Sequence, residues 1–245
     1  MCIKRVPDTG GGFKLTPDNM HVDTTNMGFT ISPHEECAVE EAIRIIEKHG
    51  GSSTVLTLGP QAAQEQLREA IAKGINSAIL LEAEDYEFWD PAATASAIAE
   101  TIKSLGFDIL LFGNESADTC NYQVGVRVAY LLDLPCVTGI KALEIKDGTA
   151  IAKRETKDGW EVYEVPLPAV FTVKEGINTP RHPSLRGIMS AKKVPIEQKR
   201  VTKPSAQLVR KTLKKPQEGR RLEILGQGVD AVPKIIEKLR EVGAI

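Results

Sequence analysis

"DTCNYQVGVRVAYLLDLPCVT", residues 118–138, follows the apolar run Asp108-Ile-Leu-Leu-Phe-Gly113 and turns at Gln123-Val124-Gly125 from polar to apolar before stopping at Pro135. A short strand-like run, a polar loop and a helical segment in that order describe one β-α unit. Similar units recur upstream. Thr54 to Leu58 and Ala78 to Glu82 read as strands, as does Met1 to Val6, with helical patterns between most of them. Over 33–49 the apolar positions Ala38, Ala42, Ile45 and Ile46 share a face, Ser32 and Glu35 have the spacing of a capping box, and Pro33 suits the first helical position. Pro60 and Pro91 stand where helices begin, and Gly74 and Gly106 where they end. Repeated β-α units imply a parallel sheet covered on both faces.

After Pro135 the pattern changes. Asp147-Gly148 and Asp158-Gly159 separate three strand-like runs, an antiparallel meander by the hairpin rule, and "PAVFTV" at 168–173 reads as one more buried strand. Residues 192–220 lose periodicity, collect Lys and Arg, and contain Pro195, Pro204 and Pro216, as an extended arm does. A helix over 230–242 follows, with Ile235, Ile236 and Leu239 as its stripe.

The composition excludes several classes. At 245 residues with 42% hydrophobic and 26% charged residues, the chain can bury one substantial core. A net charge of −2 gives no global attraction to nucleic acid or membranes. The basic arm lacks the aromatic residues that would stack on bases, so nucleic acid is not an expected partner. No apolar stretch approaches the ~20 residues that span a bilayer. Cys2, Cys37, Cys120 and Cys136 have no ligand or disulfide spacing, which fits a reducing compartment. His182 has no partner at metal or triad spacing, and Asp158 and Glu161 flank a turn as solvated charges.

In an open parallel sheet, ligands bind outside the carboxyl ends of strands, where helix N-termini offer free N–H groups to anions. Residues 118–125 lie at such a junction. Gly125 would admit a phosphate to the backbone, and Asn121 and Gln123 could supply directional hydrogen bonds; a loop that merely caps its own helix is the alternative. The Rossmann and P-loop glycine signatures are absent here.

Several stretches in order resemble the β subunit of electron transfer flavoprotein: "KRVPDT" at 4–9, "SPHEECAVEEAIR" at 32–44, "LGP" at 58–60, "DTCNYQVG" at 118–125, "LPAVFTV" at 167–173 and "PRHPSLRGIMSAKK" at 180–193. The resemblance implies a three-layer, Rossmann-like α/β fold of the adenine nucleotide hydrolase type over 1–195, with the meander, and a C-terminal arm and helix over 196–245 that dock on a larger α subunit. It implies an electron-carrier subunit, not an enzyme, moving electrons from flavin dehydrogenases such as acyl-CoA dehydrogenases to a membrane quinone oxidoreductase or other acceptor. FAD is carried mainly by the α subunit, and the β chain binds AMP; in the electron-bifurcating branch a second FAD takes that pocket. The expected location is the cytoplasm of a prokaryote or the mitochondrial matrix of a eukaryote.

Carried over by position, the nucleotide site comprises Cys2, Lys4, Ser32, Leu58, Gly59, Asp118, Cys120, Asn121, Tyr122, Gln123, Val124, Gly125 and Thr138. Thr9 and His34 fall near the α-subunit FAD, and Leu185, Arg186, Ile188 and Met189 form the partner-recognition segment. Val6-Pro7-Asp8-Thr9 and Gln123-Val124-Gly125 resemble the bifurcating branch, whereas Thr119-Cys120-Asn121-Tyr122 departs from it, so AMP and a second FAD both stay open. A free-standing adenine-nucleotide hydrolase or sensor of similar fold would carry Ser-Gly-Gly near the first strand; here Gly10-Gly11-Gly12 has no serine-rich continuation.

Overall fold

The computed structural model describes residues 1–8, 12–205, 208–215 and 223–245. Thr9 therefore lies outside the described residues. The chain divides into two compact units, Met1–Thr212 and Leu213–Ile245.

In the first unit the chain runs through β1 (Arg5–Pro7), β2 (Phe29–Ile31), α1 (Pro33–His49), β3 (Thr54–Gly59), α2 (Gln64–Lys73), β4 (Ser77–Glu82), α3 (Pro91–Lys103), β5 (Ile109–Gly113) and α4 (Val124–Leu131). It continues with β6 (Cys136–Lys146), β7 (Thr149–Thr156), β8 (Gly159–Pro166), β9 (Ala169–Val173), α5 (Leu185–Ala191) and β10 (Ile196–Arg200). The second unit holds α6 (Val232–Glu241).

Residues 1–3 are the centre of the sheet. Ile3 N–H donates to Leu56 O and Leu56 N–H to Met1 O on one side, while Cys2 N–H donates to Leu111 O on the other. They thus join the parallel set β10-β4-β3 to β5-β9-β6-β7-β8. From this centre the chain builds outward through β3 and β4, then crosses back to β5 on the opposite side. The order reverses between residues 1–3 and β5, the place where an open α/β sheet leaves a crevice.

Alternation along the strands makes the three layers. Cys2, Leu56, Ile79, Leu81, Leu110 and Phe112 pack on one face against α3 and α4, with Ala95, Ile98 and Val128. Ile3, Val55, Ala78 and Leu80 pack on the other against α1 and α2, with Val39, Ile43, Leu67 and Ile71.

Several local expectations hold. Pro33 opens α1, Gly50 and Gly74 close α1 and α2, and Asp90 Oδ1 accepts from Ala93 N–H at 2.7 Å to cap α3 before Pro91. The first hairpin turns on Asp147 (φ 49°) and Gly148 (φ 75°), two left-handed residues as a type I′ turn requires. The second turns one residue earlier than read, on Lys157-Asp158, with Gly159 at φ 138°.

Four expectations change. Ser32 makes no side-chain cap on α1, because its hydroxyl faces the loop after β5 instead. The buried positions of α1 are Glu35, Cys37 to Glu41 and Ile43, so of the expected stripe Ala38 is fully buried and Ala42, Ile45 and Ile46 only partly, since the helix is covered by the 178–181 segment as well as the sheet. α3 ends at Lys103, before Gly106. Ile196–Arg200, read as the start of the arm, pairs in parallel with β4 as an edge strand.

Candidate functional site

The loop between β5 and α4 is fastened from three directions. Lys4, one residue beyond the central strand, donates from Nζ to Asp118 Oδ1 at 2.8 Å and lies 2.6 Å from Oδ2, with Thr119 Oγ1 at 3.4 Å and Ser116 Oγ at 3.5 Å. Ser32, fully buried ahead of α1, accepts from Ala117 N–H at 3.1 Å and donates to Glu115 O at 3.4 Å. Behind the loop, Gly139 N–H donates to Thr172 Oγ1 at 2.9 Å, and that hydroxyl donates to Asn114 Oδ1 at 2.8 Å.

Glu35 completes the frame. Its Oε2 accepts from the Lys4 backbone N–H, and burial pushes its carboxyl up to about 8. At neutral pH it is therefore mostly the neutral acid, the form a dry site tolerates. Gly113 makes room for it: a Cβ there would lie 2.5 Å from Glu35 Cγ. His34 sits 3.9 Å from Glu115 Oε1, its Nδ1 buried without a hydrogen-bond partner.

Within the loop, Cys120 (φ 47°) and Tyr122 (φ 57°) take left-handed backbone, an uncommon conformation for such side chains. Both are exposed, as is Asn121. Gln123 precedes α4 without capping it; its Oε1 accepts from Arg127 Nε at 3.0 Å and Nη2 at 2.9 Å. Val124 packs against the α3/α4 core. Gly125 also meets a packing need. A Cβ there would lie 2.9 Å from Thr172 Cγ2 and 3.1 Å from Phe112 Cβ, so the glycine lets α4 sit close on β5 and β9.

The remaining expected residues divide. Cys2 turns its thiol into the core, where burial raises it to about 12, so only its backbone is available at the sheet edge. Leu58 and Gly59 end β3. Thr138 lies in β6, where its Oγ1 accepts from Arg154 Nη1 at 3.2 Å. Two cavities, of about 400 and 460 Å³, lie elsewhere: one is lined by Asp8, Lys14, Asp23 and Met27 among others, the second by Glu36, Lys73, Asn178 and Arg181 among others.

The 185–189 segment is apart from the loop. Ser184 caps α5, accepting from Gly187 N–H at 3.0 Å. Leu185, Arg186, Ile188 and Met189 are exposed, Leu185 at 83%. Sequence reasoning missed what holds this segment. Arg181 donates to Glu40 from Nε at 2.8 Å and Nη2 at 2.9 Å, and to Glu47 from Nη1 at 2.6 Å and Nη2 at 3.0 Å. Asn178 Nδ2 donates to Cys37 O and Glu41 Oε2, both at 2.9 Å. The signal available was the acidic run Glu40-Glu41 on an otherwise buried helix.

The electron transfer flavoprotein domain model matches residues 19–204. The electron transfer flavoprotein subunit beta of Bacillus subtilis is 38% identical over 197 residues, 80% of this chain and 76% of its own length. The caffeyl-CoA reductase-Etf complex subunit CarD of Acetobacterium woodii is 35% identical over 198 residues, 80% and 75% of the two chains. The probable electron transfer flavoprotein subunit beta of Saccharomyces cerevisiae is 33% identical over 249 residues, 99% of this chain and 95% of its own. With the domain match over most of its length and β subunits aligned across up to nearly all of it, the chain belongs to the electron transfer flavoprotein family, as a β subunit.

Proposed function

We propose that this β subunit binds AMP on the 118–125 loop as a structural nucleotide, pairs with an α subunit that holds the redox-active FAD, and receives a flavin dehydrogenase through Leu185, Arg186, Ile188 and Met189. The dehydrogenases are of the acyl-CoA dehydrogenase kind and the acceptor is a membrane quinone oxidoreductase or its equivalent, with the complex in the cytoplasm or mitochondrial matrix. Among the described residues no helix is long and apolar enough to cross a membrane.

The observation that carries the nucleotide reading is the loop at the order reversal, pinned by Lys4 and Ser32 from two other elements while the N-terminus of α4 has no side-chain cap. First-turn N–H groups without a cap need an acceptor, and an anion at that end also meets the favourable end of the helix dipole. An AMP phosphate fits that need. Asn121, Tyr122 and Gln123 face the base and ribose from the loop, and Cys2, Leu58, Gly59 and Thr138 contribute backbone and wall. His34, with its unpartnered Nδ1, is assigned to the side of the α-subunit FAD; Thr9, which the resemblance assigns there too, lies outside the described residues. When bound there, FAD supplies the electron-accepting chemistry; this chain's residues hold the nucleotide, present the dehydrogenase contact and dock the arm and α6 on the α subunit.

Nucleotide extraction from the purified αβ heterodimer tests this, with one AMP and one FAD expected per dimer. Removing the AMP should lower assembly and thermal stability more than the electron-transfer rate of dimers already formed, since a ligand bound only by the native state stabilises it by mass action. An equal loss of rate in intact AMP-free dimers would assign the nucleotide a redox role. Two FAD and no AMP would instead support the bifurcating reading, which the resemblance to a caffeyl-CoA reductase-Etf complex subunit keeps in play.

A further inference from the structure

Lys4 and Ser32 hold residues 115–118 of the loop between β5 and α4. Its two ends meet a single residue of β9, Thr172. Where β6 and β9 pair in parallel, Val137 stands opposite Phe171 and Ile140 opposite Val173, so Thr138 and Gly139 together face Thr172. This is a bulge, which breaks the ladder and leaves a residue without its backbone partner. Gly139 occupies it in left-handed backbone (φ 65°), and its N–H donates to Thr172 Oγ1 at 2.9 Å in place of a β9 carbonyl.

The Thr172 hydroxyl has one proton to give, and it goes to Asn114 Oδ1 at 2.8 Å. Asn114 is the residue at which the chain leaves β5, and its own N–H donates to Val173 O at 2.9 Å. The methyl of the same threonine lies under the loop's far end, 2.9 Å from where a Cβ on Gly125 would stand. Thr172 is 3% exposed, so water does not replace these partners. Accepting from one group while donating to another is open to a hydroxyl and closed to an alkyl group of the same shape. Hydrogen bonds linked in this way strengthen one another where the surroundings are dry. Between Asn114 and Gly125 run the loop and the uncapped first turn of α4, so the place of both ends decides how the loop faces those N–H groups.

We propose that Thr172 is a positioning residue of the nucleotide site: its hydroxyl relays the bulge at Gly139 to Asn114 and so sets the loop in the shape that receives the nucleotide, without touching the ligand. This rests on the assignment of the nucleotide to loop 118–125.

The test is titration of nucleotide-free αβ heterodimer with AMP in wild type, T172V, T172S, N114A and the T172V/N114A double variant, with the thermal midpoint of each ligand-free dimer measured beside it. T172V keeps the methyl under Gly125 and loses the relay; T172S keeps the relay and loses the methyl. T172V is expected to weaken AMP at least about tenfold and T172S less than about threefold. Affinity is read on dimers that stay folded, so a purely structural residue would lower the midpoint and leave AMP affinity within about twofold in T172V. That result overturns the proposal, as does equal weakening by T172S and T172V. N114A removes the acceptor on the loop side only, and the double variant should bind no more weakly than the weaker single one, because both break the same chain. Additive losses would give the two residues separate roles and overturn the relay. Should T172V not assemble, N114A at least about fivefold weaker with T172S near wild type supports the proposal, and N114A unchanged overturns it. FAD is titrated alongside, and a dimer that takes FAD in place of AMP is read by the same ratios. Wild type that binds neither overturns the site assignment and this inference with it, whereas AMP binding by wild type and T172V alike overturns the inference alone.

Discussion

Helices α5 and α6 both show apolar side chains to solvent, and they do so for different physical reasons. In α5 the exposed residues Leu185, Ile188 and Met189 are one face of a helix whose other face is closed. Gly187 lies so near α2 that a Cβ would come 2.3 Å from Ala72 O, Ala191 is buried, and Arg68 of α2 donates to Ala191 O at 2.5 Å and to Val194 O. In α6 Val232, Ile235, Ile236 and Leu239 are each between 38 and 46% exposed, and none of the helix's residues is buried. An isolated helix of ten residues is marginal in water. Exposure on a clamped helix is a surface ready for a transient partner, whereas exposure along an unburied amphipathic helix is a surface that gains its stability from one.

The largest expected effect follows from that distinction. Replacing Ile235 and Leu239 together by Glu removes two side chains each worth roughly 1.5–3 kcal/mol when buried, so the αβ heterodimer should weaken by about a hundredfold or more. Sedimentation of the mixed subunits measures it. Unchanged assembly would remove the difference between the two helices.

How much of this could be read from residues alone varies with the range of the interaction. The β-α punctuation was legible at Pro33, Gly74 and Pro91, and the meander at Asp147-Gly148, because each is set by a few consecutive residues. The edge strand Ile196–Arg200 was not, since "IEQKR" has neither β-branched alternation nor an apolar run, and its order comes from a ladder to β4. α5 was not legible as a helix, because seven residues are too few to show a helical period. At the site, the loop itself was legible as a strand-to-helix junction. The Lys4–Asp118 pair spans 114 residues and the Ser32–Ala117 bond 85, and nothing local encodes either. Gly125 was read as a close backbone approach to a phosphate, whereas its close approach to Thr172 and Phe112, set by residues distant in sequence, was not legible.

The middle effect concerns the clamp. Arg181→Ala would strip Glu40, whose carboxylate is buried, of its bidentate partner. Leaving a buried charge uncompensated costs about 3 kcal/mol, read as a lower thermal midpoint of the heterodimer. The 178–193 segment should also become more open to proteolysis. A variant as stable as wild type would show that α5 is held by the α2 contacts alone.

The smallest effect on the fold, and the sharpest test of α5 as a docking surface, is Leu185→Ala. Leu185 is the first residue of the helix and 83% exposed, while the cap runs from Gly187 N–H to Ser184 Oγ. Truncation touches neither the cap nor the Gly187–Ala72 approach, so stability should change by less than about 0.5 kcal/mol, as for surface substitutions elsewhere. Binding differs. Leucine entering an apolar pocket on a partner would contribute roughly 1.5–3 kcal/mol, so electron transfer from the dehydrogenase should show an apparent affinity at least about tenfold weaker. The maximal rate at saturating dehydrogenase and the flavin content should hold. If the variant instead loses ~2–5 kcal/mol, the range of core leucine truncations, Leu185 packs inward in the assembled protein, and the contrast between the clamped helix and the unburied one fails at its clearest residue.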